Sequence, residues 1–384
     1  MPLGTPNTPA PHAGARILTV NGGSSSIKFA LFAVGDPPQG LHRGAVDRID
    51  PNAVATDWLD VLALGGHLEG VVAVGHRVVH GGPKHFDPQP VTPDLLDDLR
   101  AATPFAPAHL PDAIRLIEAV ARRLPGVPQV ACFDTAFHRD LPSVARLLPI
   151  PRAYADAGLR RYGFHGLSYA HLMEEWERLA GPETARGRAI LAHLGSGASM
   201  AAVRNGKCID TTMGLTPAGG LVMATRTGDI DPGVLIHLAR SEGLTADQLE
   251  ELVTRRSGLL GVSGTSSDMR DLLATQATDP RAAEAVELFC YRIRKCVGAY
   301  AAALGGLDTL VFTGGIGENA PEVRHKVCEG LQFLGIELDP AANAANAPVI
   351  SIGAVAVRVI PTDEEAMIAR IVVRTIGTVR PDGR

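Results

Sequence analysis

"ILTVNGGSSSIKFALF" (Ile17 to Phe32) places a polar turn of glycine and serine between two apolar runs. The run before the turn is β-branched and apolar, and the run after it also has strand character, so the stretch predicts a strand-turn-strand hairpin. Neither the G-x-x-x-x-G-K-[ST] phosphate loop nor a complete G-x-G-x-x-G fingerprint occurs in the chain. Taken alone, the hairpin is as compatible with an ordinary tight turn as with a phosphate-binding one.

A second Gly/Ser turn between apolar runs, Ala189 to Val203, repeats this pattern about half the chain later. The repeat indicates an internal duplication. Two such turns could hold a triphosphate from both sides through backbone N–H groups. A third Gly-rich stretch, Phe312 to Asn319, follows a strand-like run and precedes a helical pattern, and its bare backbone would let a flat ligand lie against it. Elsewhere strand-like runs alternate with amphipathic stretches, which is typical of an α/β architecture.

Composition indicates a compact globular protein that acts on small molecules. The 384 residues are 46% apolar and 20% charged, which favours two or three domains with large cores. The net charge of -5 and the lack of a Lys/Arg run argue against nucleic-acid and membrane-surface partners. Five cysteines without a C-x-x-C spacing predict reduced thiols in a cytoplasmic protein. Residues 1–15 are predicted to be a short disordered tail, because they are rich in Pro, Gly and Thr.

In their order, the three turns resemble the phosphate-1, phosphate-2 and adenosine segments of the actin/hexokinase/Hsp70 ATPase superfamily, and within it the acetate kinase family. The resemblance runs from Ile17 to about Arg370 and is carried by these motifs: NGGSSSIKF, GHRVVHGG, FDTAFH, RRYGFHGLSY, AHLGSGAS, MATRTGDIDPG, FTGGIGENAPEVR and PTDEEAMIAR. It implies a duplicated actin-like (ribonuclease H-like) fold with two domains around a nucleotide cleft. The N-terminal domain would take residues 16–150 and 366–384, and the C-terminal, nucleotide-binding domain residues 151–365.

The resemblance implies a kinase that transfers the γ-phosphoryl group of ATP reversibly and in line to acetate, giving acetyl phosphate and ADP. It also implies Mg²⁺ or Mn²⁺ as the metal and a homodimer. A carboxylate acceptor is already ionised at pH 7, so the site needs positive charge and no base. Propionate or another short-chain acid as acceptor, and a different phosphoryl donor, remain open. A filament or chaperone ATPase is a distant alternative, since such a chaperone would need a further substrate-binding module.

Five residues are candidates for the chemistry. Arg77 and Arg226 each lie among glycines and small residues, and an arginine fork suits a carboxylate or phosphoryl group. His165 and His193 lie in or beside glycine-rich turns, and the matching histidines of acetate kinases stabilise the charge of the transferring phosphoryl group. Asp134 follows a strand, where α/β sheets place working residues, and orienting an arginine is a more economical role for it than that of a base.

The nucleotide and metal candidates come from the three turns and the last helix. By resemblance, the phosphates are contacted by Asn21, Ser24, Ser26, Lys28, His193, Gly195, Ser196 and Gly197. Adenosine is contacted by Asp268, Met269, Arg270, Gly314, Gly315, Ile316, Gly317 and Asn319. Asn21 and Glu364 are the metal candidates. On sequence alone, Glu364 is equally a favourable acidic residue at a helix N-terminus.

The acyl pocket departs from the family pattern. By resemblance it is formed by Val79, Ala108, Phe164 and Pro217, and His109 matches a further substrate-binding position of the family. Ala108 replaces a leucine and removes about three carbons, so a longer acid could compete with acetate, since one methylene contributes only about 1 to 3 kcal/mol of discrimination. Two further departures, Ser196 for asparagine and Ala224 for glycine, could affect the phosphoryl donor.

Overall fold

A computed structural model describes residues 14–23, 26–47, 59–60, 62–63, 65–107 and 109–378. The chain divides into two compact units, which we call the N-terminal unit and the C-terminal unit. The N-terminal unit comprises the residues up to Ala136 together with those from Asp363 onward, and the C-terminal unit is Phe137–Thr362. Most of the predicted N-terminal tail, residues 1–13, lies outside the described residues.

The N-terminal unit is built on one mixed sheet with the strand order β3-β2-β1-β4-β6-β5. Its strands are β1 (Arg16–Gly22), β2 (Ser26–Ala33), β3 (Gln39–Asp47), β4 (Val71–Val78), β5 (Gln89–Pro90) and β6 (Gln129–Phe133). Its helices are Pro93–Ala101, Leu110–Arg123 and, from the end of the chain, Glu364–Thr378. The predicted hairpin is confirmed, because β1 and β2 pair antiparallel with Asn21 opposite Lys28.

The C-terminal helix Glu364–Thr378 packs against the sheet at a glycine. A Cβ atom at Gly75 on β4 would lie 2.4 Å from Ile368 and 2.6 Å from Val372. Only glycine allows the helix to come this close to β4. The close contact places the first turn of the helix beside the ends of β1 and β4, where the site described below lies.

The C-terminal unit has its own mixed sheet with the order β11-β10-β7-β8-β9. Its strands are β7 (Arg188–Leu194), β8 (Ala198–Arg204), β9 (Lys207–Thr211), β10 (Thr309–Thr313) and β11 (Ala356–Val359). Its helices are Ser143–Arg146, Arg152–Asp156, Gly166–Ala180, Pro182–Ala185, Pro232–Ser241, Ala246–Arg255, Gly258–Ser263, Met269–Thr275, Pro280–Leu304, Gly314–Asn319, Pro321–Cys328 and Pro340–Ala344. Among the helices described here, none has the length and apolar content needed to cross a membrane.

The two sheets share one topology, as the repeated Gly/Ser turns predict. In each, the first strand of an antiparallel meander also pairs in parallel with the next strand along the sheet: β1 with β4, and β7 with β10. A further parallel strand follows, β6 in one unit and β11 in the other. The expectation of a duplicated actin-like α/β fold is therefore confirmed.

The third Gly-rich stretch differs from the expectation. Gly314–Asn319 is a short helix in itself, followed by the helix Pro321–Cys328. The stretch can turn directly from β10 into this helix because Gly314 adopts φ +77°, and a Cβ there would lie 2.7 Å from the Leu194 carbonyl oxygen. Close packing of the helix against β7 therefore decides the local structure, which the glycine content alone does not reveal.

Candidate active site

Four predicted site residues meet at one edge of the N-terminal sheet. Asn21 lies near the end of β1, Arg77 near the end of β4, and Asp134 directly follows β6. These three strands are parallel neighbours, so their carboxyl ends open at the same edge, where α/β sheets commonly bind ligands. Glu364 joins them as the first residue of the C-terminal helix.

The guanidinium of Arg77 lies at the centre of this cluster. Its Nε and Nη2 donate to the Asp134 carboxylate at 3.0 and 2.6 Å, and its Nη1 donates to Asn21 Oδ1 at 3.1 Å. The side chain of Asp134 is fully buried, whereas that of Arg77 is 15% exposed. Burial lowers the pKa of Arg77, but the charges of Asp134 and Glu364 outweigh this effect and raise the pKa above its ordinary value. The cluster therefore presents a permanently charged and firmly oriented arginine.

The Asn21 amide connects this arginine to two carboxylates. Its Nδ2 donates to Glu364 Oε2 at 2.9 Å and to Glu365 Oε1 at 3.0 Å, while its Oδ1 accepts from Arg77. Both carboxylates belong to the first turn of the C-terminal helix. Sequence reasoning selected Glu364 but missed Glu365, although the Asp-Glu-Glu run at a helix start was the available signal.

The donor set of this cluster fits Mg²⁺, a hard cation that takes oxygen ligands. Glu364 and Glu365 supply two carboxylates, and Asn21 holds them together. Within the described ranges, no group of three or more His, Cys, Asp or Glu side chains is placed to hold a metal ion. A cation here would therefore need phosphate oxygens and water as additional ligands, which is how Mg²⁺ commonly binds with nucleotides.

In the C-terminal unit, His165 and His193 stack face to face. Their ring centroids are 4.2 Å apart with an interplanar angle of 23°. His165 immediately precedes the helix Gly166–Ala180 and has a left-handed backbone with φ 57°, a strained state for a residue other than glycine that is commonly found at functional sites. His193 lies near the end of β7. The structure thus brings these two predicted residues together.

Both imidazoles direct Nε2 toward the second Gly/Ser turn. Their Nδ1 atoms are hydrogen-bonded to serine hydroxyl groups. His165 Nδ1 lies 2.8 Å from Ser199 Oγ, and His193 Nδ1 lies 2.9 Å from Ser168 Oγ. A Cβ atom at Gly197 would lie 3.2 Å from His165 Nε2, and one at Gly195 would lie 3.8 Å from His193 Nε2. The bare backbone of the turn therefore faces both Nε2 atoms, which suits a phosphate.

Arg226 adds a positive charge at the same turn. Its Nη2 would lie 3.6 Å from a Cβ at Gly197, and its Nη1 donates to the Pro217 carbonyl oxygen at 2.8 Å. The hydrogen bond to Pro217, a predicted acyl-pocket residue, fixes the direction of the guanidinium. The predicted arginine and both predicted histidines thus surround one turn of the C-terminal unit.

A cavity of about 710 Å³ adjoins this turn in the C-terminal unit. Eight predicted nucleotide residues line it: Gly195, Ser196, Asp268, Met269, Arg270, Gly315, Ile316 and Asn319. Asp268 accepts from Arg270 Nη2 at 2.6 Å, and hydrogen bonds from Arg270 hold the pKa of Asp268 below its ordinary range. Gly314 and Gly317 are the buried residues of the lining helix Gly314–Asn319 and are not part of the cavity wall.

The two departures at Ser196 and Ala224 are neighbours on this wall. Both residues line the cavity, and the Ala224 N–H donates to the Ser196 carbonyl oxygen at 3.1 Å. Ser196 is exposed, so its hydroxyl is accessible to a ligand in the cavity. The two changes from the family pattern therefore concern one small area of the nucleotide cavity.

The remaining predicted residues are distributed over both units. Val79 and Phe164 are buried, and His109 lies at the N-terminus of the helix Leu110–Arg123. Lys28 is exposed on β2, and Ser26 closes the first turn by accepting a backbone hydrogen bond from Gly23 at 2.8 Å. Ser24 and Ala108 lie outside the described residues.

Several supporting residues were not selected from the sequence. Ser168 and Tyr169 follow His165 on the same helix, and Ser199 lies on β8 opposite His193. Glu318 accepts from the Gly314 and Thr362 backbone N–H groups at 2.8 and 3.1 Å. All four occur within motifs quoted for the resemblance. The contacts of Ser168, Tyr169 and Ser199, and that of Glu318 with Thr362, join segments that are distant in sequence.

Comparison with known proteins gives a consistent result. A profile of the acetokinase family matches residues 53–370. The acetate kinase of Rhodopseudomonas palustris is 46% identical, over 93% of this chain and 98% of that protein. The crystal structure of Porphyromonas gingivalis acetate kinase superposes with a TM-score of 0.84 at 38% identity, covering 95% of this chain and 100% of the other. That of a Francisella tularensis propionate kinase superposes with a TM-score of 0.86 at 36% identity, covering 93% and 98%.

Proposed function

This chain belongs to the acetokinase family, and we propose that it transfers the γ-phosphoryl group of ATP to acetate, giving acetyl phosphate and ADP by direct, reversible in-line transfer. The observation that carries the mechanism is the cluster of Arg77, Asp134, Asn21 and Glu364 at one sheet edge. It provides a fixed positive charge beside a cation-binding pair of carboxylates. The reaction of an anionic acceptor with a triphosphate requires both the positive charge and the bound cation.

Asp134 acts as the residue that orients Arg77. The acetate carboxylate is already ionised at pH 7, so no general base is needed to activate it. Both Asp134 oxygens accept hydrogen bonds from Arg77, which leaves the carboxylate unsuited to proton abstraction. Arg77 then binds the acetate carboxylate and reduces its repulsion from the γ-phosphoryl group.

The C-terminal unit binds the nucleotide. The cavity beside the Gly195–Gly197 turn takes the adenosine, and the turn itself receives the phosphates. His165, His193 and Arg226 spread the charge that develops on the equatorial oxygens during transfer. None of the three has to move a proton in this reaction.

Mg²⁺ is the metal that the donor set favours. Glu364 and Glu365 would hold it, in part through water, and the phosphates would complete its coordination. When bound, Mg²⁺ neutralises phosphate charge and aligns the triphosphate. Asn21 keeps the two carboxylates in place while its amide adds no negative charge of its own.

Acetate, or acetate together with propionate, is the acceptor, since Ala108 replaces a leucine of the family pattern. The first experiment uses purified protein with MgATP and formate, acetate, propionate or butyrate. Hydroxylamine traps any acyl phosphate while ADP is followed in parallel. Product from acetate supports the proposal. A lack of product from all four acids contradicts it for ATP, and repeating the assay with other triphosphates and pyrophosphate then tests the donor.

A homodimer is proposed through the helix Pro232–Ser241, which contains no buried residue although it is rich in apolar side chains. Ile230, Val234 and Ile236 are 39%, 40% and 51% exposed. The helices here carry both charge signs, with Asp247, Glu250 and Glu251 near Arg240 and Arg255 in sequence. A second copy related by a two-fold axis would cover the apolar strip and pair opposite charges.

Light scattering after size exclusion tests the dimer. The unmodified protein should elute as a dimer, and Ile236→Asp should shift it to a monomer by placing a charge in the contact. Val144→Asp is the control, because Val144 is 86% exposed and lies away from this helix in sequence. A monomeric unmodified protein, or equal effects of the two substitutions, would contradict the proposed surface.

Free thiols favour a cytoplasmic location. All five cysteines are free, and all but Cys296 are buried. Burial raises the pKa of the Cys132 and Cys208 thiols, which keeps them protonated and unreactive. Such thiols are typical of a reducing compartment.

A further inference from the structure

A buried chain of hydroxyl groups leads to His165. The Tyr169 Oη lies 2.5 Å from Ser199 Oγ, and Ser199 Oγ lies 2.8 Å from His165 Nδ1. Tyr169 and Ser199 have no exposed surface, and His165 is 9% exposed. Each hydroxyl carries one proton, so the direction of the chain decides which nitrogen of His165 is protonated.

The direction of these hydrogen bonds is fixed at the Tyr169 end. The Tyr169 hydroxyl is fully buried, and Ser199 Oγ lies within hydrogen-bond distance of it. A buried hydroxyl proton needs an acceptor, because leaving it unpaired costs free energy. Burial raises the pKa of Tyr169, so the hydroxyl keeps its own proton. That proton needs an acceptor in the interior, and Ser199 Oγ is within reach.

The direction of the next hydrogen bond follows from that of Tyr169. Since Ser199 Oγ accepts from Tyr169, its own proton is directed at His165 Nδ1. Nδ1 then acts as an acceptor, and the proton of the neutral ring lies on Nε2. In the opposite direction, Nδ1–H would donate to Ser199 and Ser199 to Tyr169. The buried Tyr169 proton would then have no acceptor within the part of the chain that the structure describes.

We propose that Tyr169 and Ser199 are positioning residues that hold His165 in the neutral Nε2–H form, with this N–H directed at the Gly195–Gly197 turn. The inference rests on the proposed function, in which that turn receives the transferring phosphate. It makes His165 a fixed hydrogen-bond donor to a phosphoryl oxygen. It also makes Nδ1 of His165 a hydrogen-bond acceptor, because a proton on Nδ1 would have to reverse every hydrogen bond from Ser199 to Tyr169.

Two further groups lie beside His165. Arg226 approaches the turn from one side, and His193 stacks on the ring. His193 is bonded to Ser168, which in turn is bonded to Thr362 Oγ1 at 2.8 Å. Both partners there are hydroxyl groups that can donate or accept, so the inference concerns His165 alone.

Nitrogen NMR of the protein with ¹⁵N-labelled histidine measures the tautomer directly, without nucleotide and without turnover. The His165 resonances are identified by their loss in His165→Gln. We expect Nε2 to have the shift of a protonated nitrogen and Nδ1 that of an unprotonated one. In Tyr169→Phe, Ser199 becomes free to accept from Nδ1–H, so the ring should move to the Nδ1–H form or to a mixture. Tyr162→Phe is the matched control, because its buried hydroxyl donates to the Gly158 carbonyl oxygen instead.

The kinetic arm separates positioning from a general loss of structure. Ser199→Ala and Tyr169→Phe should each lower kcat about tenfold, with KM for ATP changed by less than about threefold, whereas Tyr162→Phe should leave both near normal. Nδ1–H in the unmodified protein, or an unchanged tautomer in Tyr169→Phe, would overturn the inference. Full activity of His165→Ala would instead refute the proposed role of His165, while the NMR result would still report on the hydroxyl chain.

Discussion

At the scale of single residues, the direction of individual hydrogen bonds shapes the site. Asn21 shows this most clearly, because its Oδ1 accepts from Arg77 while its Nδ2 donates to two carboxylates. An aspartate in its place would accept from Arg77 but would repel Glu364 and Glu365. Because its amide both accepts and donates, Asn21 can hydrogen-bond to the cationic Arg77 and to the anionic Glu364 and Glu365 at the same time.

Replacing Arg226 by alanine should lower kcat by about 100-fold or more, since one preorganised charge at the turn is lost. KM for ATP should stay within about threefold, because Arg226 does not line the cavity. Arg226→Lys should recover only part of the rate, as a lysine cannot also hold the Pro217 carbonyl oxygen in the same geometry. Steady-state kinetics with both substrates varied measures these effects. Unchanged turnover in Arg226→Ala would remove the residue from the mechanism.

Replacing Ala108 by leucine tests the acyl pocket that the resemblance to acetate kinases implies. The ratio of kcat/KM for acetate over propionate should rise about tenfold, as expected for the loss of room for one methylene. Val79→Ala is the comparison that enlarges the predicted pocket and should change the ratio in the opposite direction. A ratio that is the same in Ala108→Leu and the unmodified enzyme would show that residue 108 does not contact the acyl chain.

At the scale of elements, the short helix Gly314–Asn319 is stabilised by a fully buried arginine. Arg324 Nη1 donates to the Gly317 and Glu318 carbonyl oxygens at 2.8 and 3.0 Å, and its Nε donates to Asn343 Oδ1 at 2.8 Å. Burial lowers the pKa of Arg324 to about 10, yet the side chain is charged at neutral pH. These hydrogen bonds satisfy the last carbonyl groups of the helix that forms part of the nucleotide cavity.

Arg324→Lys should therefore lower the free energy of unfolding by about 3 kcal/mol, because several buried acceptors lose their donor. KM for ATP should rise several-fold as the helix loses its anchor. Urea unfolding and steady-state kinetics measure the two effects. Arg294→Lys is the control, since Arg294 is partly exposed and is bonded to the neighbouring helix Pro321–Cys328. Equal losses in the two variants would argue against a specific role of Arg324.

At the scale of the whole molecule, each unit contains a buried histidine that is held neutral. His76 in the N-terminal unit is bonded to Gln129 at 2.6 Å, and His138 in the C-terminal unit to the Phe164 carbonyl oxygen at 2.9 Å. Burial lowers the pKa of each to about 4. His138 also packs beneath Gly163, where a Cβ would lie 2.5 Å from its ring, so it supports the loop that carries His165.

The two histidines predict loss of stability in acid. Their folded pKa lies below the ordinary value of 6.5, so the unfolded chain takes up protons first as the pH falls. The contribution is complete above about pH 6.5 and is lost as the pH approaches 4, by about 3 kcal/mol for each histidine. Urea unfolding at pH 7, 5.5 and 4.5 measures it. His76→Gln and His138→Gln should each flatten the dependence, and curves parallel to that of the unmodified protein would refute the assignment.

Much of the architecture could be predicted from local patterns. The two Gly/Ser turns between apolar runs identified both central hairpins, because a strand-turn-strand unit is specified by its own residues and immediate neighbours. Their repetition predicted the shared sheet topology. The helix Gly314–Asn319 was missed, because its high glycine content disfavours a helix locally. Contacts with β7 and hydrogen bonds from Arg324 stabilise it instead.

The sequence by itself determined the duplicated fold, the membership of a family and the chemical types of the site residues. Motifs of a few neighbouring positions specify all of these. Only the tertiary structure decided how those residues are paired. Asn21 and Glu364 meet across 343 positions, and Ser199 reaches His165 across 34. Such pairings arise when strands and helices pack together within each unit and bring distant side chains into contact. Hydrogen-bond direction and burial, which set charge and tautomer, exist only after that packing has occurred.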